Sequence, residues 1–293
     1  MHSFSFQQTT SQKLRHIYKQ RLYNWLVDRR ANMFMKPTDI ISIRPTVLGY
    51  HEPYLEAFIR SCTPKYSDFF LDIGANIGLS TIAVGQKFRK IDCGEPNPLL
   101  LNVLRTNLAI NNLCNRINIH PIGLGERDQK MEMCVPHDNF GGGFLPNGNA
   151  YNDVSNAISM RGNCITKNQT VEIRSAQNWF DCLFSTYINS GLNNGVIKID
   201  VEGYEKIIFE ALLSKLPTKM GVVVVMENFL DRFNGDQFTS KDHHLDWFYL
   251  AKIHRPVASI PFKLLGLSSS YRHELKPLTP NTKNPHDLVV FVG

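Results

Sequence analysis

Apolar and polar positions fall into two rhythms along this chain. From Tyr50 onward, short apolar runs of strand length alternate with stretches of helical spacing. Residues 69–73 predict a first strand and 78–88 its helix. Residues 91–95 predict a second strand. A helix from Pro98 to Ile110 follows, its proline sitting where helix starts tolerate one. Residues 116–122, 196–200 and 221–226 predict three more strands, with a helix from Tyr204 to Leu213 between the last two. The closing Asp287-Leu288-Val289-Val290-Phe291-Val292 predicts a final strand. Strands that are apolar throughout and alternate with helices indicate a mostly parallel α/β sheet covered on both faces.

Upstream, Leu14, Ile17, Tyr18, Leu22, Trp25 and Leu26 recur at helical spacing, predicting an amphipathic helix over 13–30. Two segments break the rhythm. Residues 135–170 are rich in Gly, Asn and Pro. Residues 229–285 carry several prolines, His243, His244, Trp247 and a triple serine. Long irregular stretches in a compact domain are commonly lids or binding loops.

Charge refines this division. Residues 1–36 hold seven Lys/Arg and one acid, which leaves 25 of each sign from totals of 32 and 26. The net charge of +6 therefore belongs to the arm. A basic arm of residues 1–48 precedes a charge-balanced domain of residues 49–293. The balanced body argues against a general nucleic-acid grip. The arm's stripe suits packing on the body or self-association, with peripheral contact to an anionic membrane as the alternative. The apolar runs fall short of the roughly 18 residues of a membrane span. Six scattered cysteines without metal spacing read as free thiols in a cytoplasmic setting.

The chemistry concentrates at strand ends. Phe69-Phe70-Leu71-Asp72-Ile73-Gly74-Ala75-Asn76-Ile77-Gly78 runs from an apolar strand through an acid and two glycines into a helix. Such a turn builds a nucleotide-type pocket at the carboxyl end of a first strand. The dinucleotide fingerprint Gly-x-Gly-x-x-Gly is not met, because Asn76 occupies its second glycine. Gly74 suits a sharp turn and close ligand approach, and Gly78 close helix packing. Asp72 sets an anion where a pyrophosphate would be repelled, and suits a ligand with a cationic amine and sulfonium. Glu95 closes the second strand 21 residues after Gly74, near the separation expected of a carboxylate on ribose hydroxyls. Downstream, Lys198-Ile199-Asp200-Val201-Glu202-Gly203-Tyr204-Glu205 gathers acids past the fourth strand, and Glu227 ends the fifth at the same edge. Glu205 reads as a helix cap, and Asp200 as a residue of the crevice.

These strings resemble the FkbM family of S-adenosylmethionine (SAM)-dependent methyltransferases: Asp72 to Gly78, then Glu95-Pro96-Asn97, Asn139-Phe140-Gly141-Gly142, and Lys198 to Glu205. The resemblance covers roughly residues 50–230. The segment Ala176-Gln177-Asn178-Trp179-Phe180-Asp181 departs from the family's acidic turn before the fourth strand. The resemblance implies a class I methyltransferase, Rossmann-like sheet of seven strands with the last antiparallel. It also implies SAM held by Asp72, Gly74, Ala75, Asn76, Gly78, Glu95 and Asn97, and O-methylation of a sugar, glycan or natural-product hydroxyl. A small-molecule or glycan acceptor is thus the expected partner.

Methyl transfer to an alcohol is helped by a base. Asp200, Glu202 and Glu227 are the candidates for it. A divalent metal on the same acids is an alternative route that no ligand spacing indicates. His243, His244 and His286 are weaker candidates. Phe140, Phe144, Tyr151 and Trp247 would stack on a sugar ring or simply anchor their loops. Two rival functions stay open: a nicotinamide oxidoreductase on a related sheet, and a non-catalytic module that keeps the fold.

Overall fold

The computed structural model describes residues 33–34, 52–136, 140–145, 165–227, 239–254, 271–279, 282, 285 and 287–293. The amphipathic 13–30 stretch lies outside them, as do His286, Tyr151 and Asn139.

The chain enters the domain through α1 (Pro53–Cys62), then β1 (Phe69–Ile73), α2 (Leu79–Val84), β2 (Lys90–Gly94), α3 (Pro98–Ile110) and β3 (Ile117–His120). Three strands, β4 (Gly123–Gly125), β5 (Gln129–Pro136) and β6 (Ile165–Ser175), pair in the order β4-β6-β5 as a separate small sheet. The main sheet resumes with α4 (Ala176–Asn189), β7 (Asn194–Ile199), α5 (Glu205–Lys215), β8 (Gly221–Glu227), β9 (Leu245–His254), β10 (Tyr271–Pro277) and β11 (Asp287–Val292).

Among the described residues the main sheet has eight strands in the order β10-β9-β11-β8-β7-β1-β2-β3. Five neighbours, β3, β2, β1, β7 and β8, run parallel, and β11 runs antiparallel between β8 and β9. This is the mostly parallel α/β sheet that the alternating pattern predicts, in the Rossmann-like form that the resemblance implies, with one strand more among the described residues than the seven expected. The extra strand, β10, pairs antiparallel with β9 along seven residues and covers what would otherwise be a bare edge. Both β9 and β10 fall within 229–285, so part of that stretch is sheet rather than loop. The ends of the 135–170 segment likewise belong to β5 and β6, whose long antiparallel pairing runs from Gln129 to Pro136.

The side-chain alternation of the strands splits the core. Phe69, Leu71, Ile73, Ile197, Ile199, Val222 and Val224 face α4 and α5, packing on Phe180, Phe184, Phe209 and Leu212. Phe70, Ile91, Cys93, Val196, Val223 and Val225 face the other way, onto Leu55 and Ile59 of α1, Ile82 of α2, and Leu104 and Leu108 of α3. Asp72 and Lys198 share that second face by the same alternation, and both are buried. Asp92 points to the first face, where the Tyr187 hydroxyl of α4 donates to it at 2.7 Å.

Strand succession reverses at β1: β2 and β3 lie to one side of it, β7 and β8 to the other. The carboxyl ends of β1 and β7 therefore flank the topological switch point, where open α/β sheets hold their ligands.

Candidate functional site

A cavity of about 230 Å³ opens at that switch point. Its wall includes Gly74, Ala75 and Asn76 after β1, Glu95 and Asn97 after β2, and Lys198, Asp200 and Glu202 around the end of β7. Glu227 at the end of β8 and Glu52 before α1 complete the polar side. The small sheet contributes Met133 and Ile173 to the same wall, joined by Phe144 and Leu145. Phe144 is held there by a two-way backbone bridge to Cys134.

The turn after β1 is set by backbone geometry. Gly74 adopts φ +87°, and a Cβ there would lie 1.8 Å from the carbonyl oxygen of Asp200. The close approach that demands glycine is thus made by the chain itself where β7 ends. Asn76 also takes the left-handed conformation, at φ +54°. Among non-glycine residues Asn tolerates this region best, which accounts for Asn at the position where the dinucleotide pattern has glycine. Gly78 (φ +91°) stands off the cavity. Its missing side chain leaves room for Leu104 of α3, in keeping with a packing role.

Glu95 is the hub of this half. Its Oε2 accepts the backbone N–H of Asn76 at 2.9 Å, and its Oε1 accepts that of Asn97 at 2.7 Å. Burial raises its carboxyl to about 7 despite those two amides. Asn97 spends its side chain capping α3, accepting from the Leu99 N–H at 3.0 Å.

Asp72 does not reach the cavity wall. It is fully buried, with Oδ2 accepting the Thr81 hydroxyl of α2 at 2.6 Å. Among the described residues Oδ1 has no hydrogen-bond partner, and the Lys198 ammonium stands 3.8 Å from it. Burial pushes the Asp72 carboxyl up, while Lys198 and Thr81 oppose the shift. Lys198 bridges forward, donating to Asp200 Oδ2 at 2.7 Å. Burial alone would lower Lys198, but Asp200 and Asp72 outweigh it and hold the ammonium above its ordinary range.

Asp200, Glu202 and Glu227 line the same cavity. Glu202 sits at φ +56°, followed by Gly203 at φ +102°. Glu205 stabilises this turn: its carboxylate accepts the N–H groups of Gly203 at 2.9 Å and Val201 at 3.2 Å. It stands in the first turn of α5, but its carboxylate holds the turn that leads into the helix, and the N-cap position itself is Tyr204, without a side-chain cap hydrogen bond. Such a strained, non-glycine residue at a cavity wall is a feature that concentrates at functional sites.

Other candidates lie elsewhere. His243 is buried against the Leu216 carbonyl, and His244 is exposed beside Asp246. Neither lines the cavity. Trp247 packs edge-on to Phe209 in the core. Phe144 alone of the four aromatics is placed on the cavity wall among the described residues. No group of three or more His, Cys, Asp or Glu is placed to hold a metal ion among the described residues.

Sequence reasoning passed over Lys198, Glu52 and the small-sheet wall. Lys198 had a signal, a charged residue inside the apolar run Val196-Ile197-Lys198-Ile199. Glu52, Met133 and Ile173 had none, because their place depends on contacts far apart in the chain.

No family model and no curated protein sequence matches this chain. Solved structures that it overlays include an O-methyltransferase from Bacillus cereus in complex with SAH. That overlay has 11% identity and a TM-score of 0.40, and covers 97% of this chain and 91% of the other. A SAM-dependent methyltransferase from Agrobacterium tumefaciens gives 7% and 0.40, over 82% and 61%. A precorrin-8w decarboxylase from Methanobacterium thermoautotrophicum gives 12% and 0.38, over 89% and 100%. Overlays this loose leave the fold to rest on the strand order itself.

Proposed function

We propose that the chain is a SAM-dependent methyltransferase acting on a hydroxyl acceptor. The observation that carries this reading is the pairing of Glu95 with the Asn76 amide. In a dinucleotide site the turn after the first strand offers its amides to a pyrophosphate. Here the Glu95 carboxyl takes one of them, which withdraws a donor from a pyrophosphate and sets an acidic group where it would lie. That arrangement disfavours a nicotinamide dinucleotide and suits a ligand with ribose hydroxyls and a cationic sulfonium.

In this reading Glu95 accepts from the ribose hydroxyls. Leu100, Ile122, Leu145 and Ile173 offer apolar surface to an adenine ring, and the Gly74–Asn76 turn passes beneath the sulfur. The donor, when bound, supplies an electrophilic methyl group and a neutral sulfide leaving group. The chain's own work is alignment of the acceptor oxygen and removal of its proton. Asp200, Glu202 and Glu227 are the candidates for that removal. Glu202 and Glu227 are preferred, because the Lys198 ammonium 2.7 Å from Asp200 lessens its hold on a proton. The acceptor class that the sequence resemblance implies is a sugar, glycan or natural-product alcohol. The test is release of S-adenosylhomocysteine (SAH) from SAM across a panel of hydroxyl acceptors. Turnover with at least one is the expected result, and SAM binding without turnover on any would favour the non-catalytic module instead.

A further inference from the structure

Asn107 lies on α3 and is fully buried. A buried amide is costly unless its hydrogen bonds are made. Its Oδ1 accepts the backbone N–H of Phe34 at 2.6 Å, and its Nδ2 donates to the Phe34 carbonyl at 3.2 Å. Nδ2 also donates to the carbonyl of Ile77 at 2.8 Å. One side chain thus holds the N-terminal arm at Phe34 and the backbone that follows Asn76 in the cavity wall. The grip on the arm is made on main-chain atoms. The Phe34 side is 60% exposed, while Met33 beside it packs on the core face of Leu104 and Leu108.

Ile77 sits between two left-handed residues, Asn76 at φ +54° and Gly78 at φ +91°. The non-glycine one persists only where its surroundings over-determine it. Glu95 fixes one side of this turn through the Asn76 N–H, and Asn107 fixes the other through the Ile77 carbonyl. The amide of Asn107 has two N–H groups, and both are spent. With Phe34 undocked, Oδ1 and one N–H lose their partners, and the amide is no longer fixed in the plane that serves Ile77. We infer that docking of the arm at Phe34 and the conformation of the turn after β1 are coupled through Asn107. Asn107 is a positioning residue here and does not line the cavity. Coupling of this kind is reciprocal: a ligand that needs the turn tightens the arm by the factor by which the arm tightens the ligand. The clamp and the turn stand on their own geometry, and only the choice of SAH as the ligand rests on the donor reading above.

Two substitutions at Phe34, which does not line the cavity, test the coupling on the full chain. Phe34→Pro removes the N–H that Asn107 accepts, whereas Phe34→Ala keeps it. Without ligand, Phe34→Pro is expected to quicken hydrogen exchange over Ala75–Gly78 by about tenfold, the value of a lost hydrogen bond, and to leave exchange across β8 unchanged. Phe34→Ala should stay within about threefold of wild type. Unchanged exchange over the turn in Phe34→Pro overturns the coupling. Equal quickening across β8 makes Phe34 a general structural contact and overturns it too, as does an equal effect of both substitutions. Titration calorimetry then adds the ligand. Phe34→Pro should bind SAH about tenfold more weakly, and SAH should slow exchange at the wild-type Phe34 amide by the same factor. SAH affinity that is undiminished in Phe34→Pro overturns the link between arm and site. If the wild-type chain binds no SAH, the donor reading fails by itself, and the ligand-free exchange still decides the clamp.

Discussion

Asp72 and Lys198 are register partners on β1 and β7, and their charged ends lie 3.8 Å apart in the interior. Neither makes sense alone. A buried carboxylate without a cation, or a buried ammonium without an acid, would carry the desolvation cost of a lone charge. Asp72→Asn is therefore expected to destabilise the chain by about 2 kcal/mol, less than for a fully broken pair because Asp200 still holds the lysine. The double variant Asp72→Leu, Lys198→Met should recover much of that stability. Urea denaturation of the wild type and the two variants decides it, and an unchanged midpoint in Asp72→Asn would show that the pair contributes nothing.

Asn76 offers a test of the backbone rather than of charge. At φ +54° a β-branched residue is strained, whereas glycine is not. Asn76→Val should cost about 1–2 kcal/mol and weaken SAH binding, because the amide that supports Glu95 moves. Asn76→Gly should stay within about 0.5 kcal/mol of wild type and still bind. Thermal melts with and without SAH compare them, and equal effects from both substitutions would remove the conformational argument.

How much of this was legible in the sequence depends on the range of the forces involved. The helix Pro98–Ile110 and the strand Asp287–Val292 have their observed limits in the sequence pattern, because a proline start and an unbroken apolar run are local signals. The strands β5 and β6 were hidden. Gln129-Lys130-Met131-Glu132-Met133 alternates polar and apolar positions, and its pairing partner lies some forty residues on. In β9, Trp247, Phe248 and Tyr249 carry a strand signal that the prolines and serines around them obscured. In the site, the glycines and strand-end acids stood out because they break apolar runs. Asp72 stood out for the same reason, yet it faces inward. Sequence shows that a charge interrupts a strand, but only the pleat shows which side of the sheet it reaches. Lys198 illustrates the reverse case, a residue read as part of a strand that proves to line the cavity.

Glu95 gives the site a pH dependence. Its ordinary value is 4.5, and burial raises it to about 7 in the folded chain. A raised carboxyl favours folding most below its unfolded value, and that contribution is lost as pH rises through about 7. Binding runs in the opposite sense. Ribose hydroxyls donate to the carboxylate, so SAH affinity should rise as pH climbs from 6 to 8, falling off below about 7 by up to tenfold per unit. Calorimetry at three pH values measures this, and affinity that is flat or that falls with rising pH would place the hydroxyls elsewhere.

The three acids at the acceptor end should separate by role. Glu202→Gln or Glu227→Gln should lower kcat by about 10²- to 10⁴-fold, the contribution of a general base, and leave SAH affinity nearly unchanged. Asp200→Asn should lower kcat far less, because that carboxylate is engaged with Lys198. Steady-state rates on an identified acceptor, read beside SAH titrations, give the comparison. Full turnover in both glutamine variants would mean that neither side chain removes the proton.

The central claim is that the pocket after β1 takes an adenosyl sulfonium and not a dinucleotide. Parallel calorimetric titration of the full chain with SAH and NAD tests it most directly. The account predicts saturable one-site binding of SAH, weakened by Glu95→Ala, and no measurable heat with NAD. Binding of NAD in preference to SAH would contradict it.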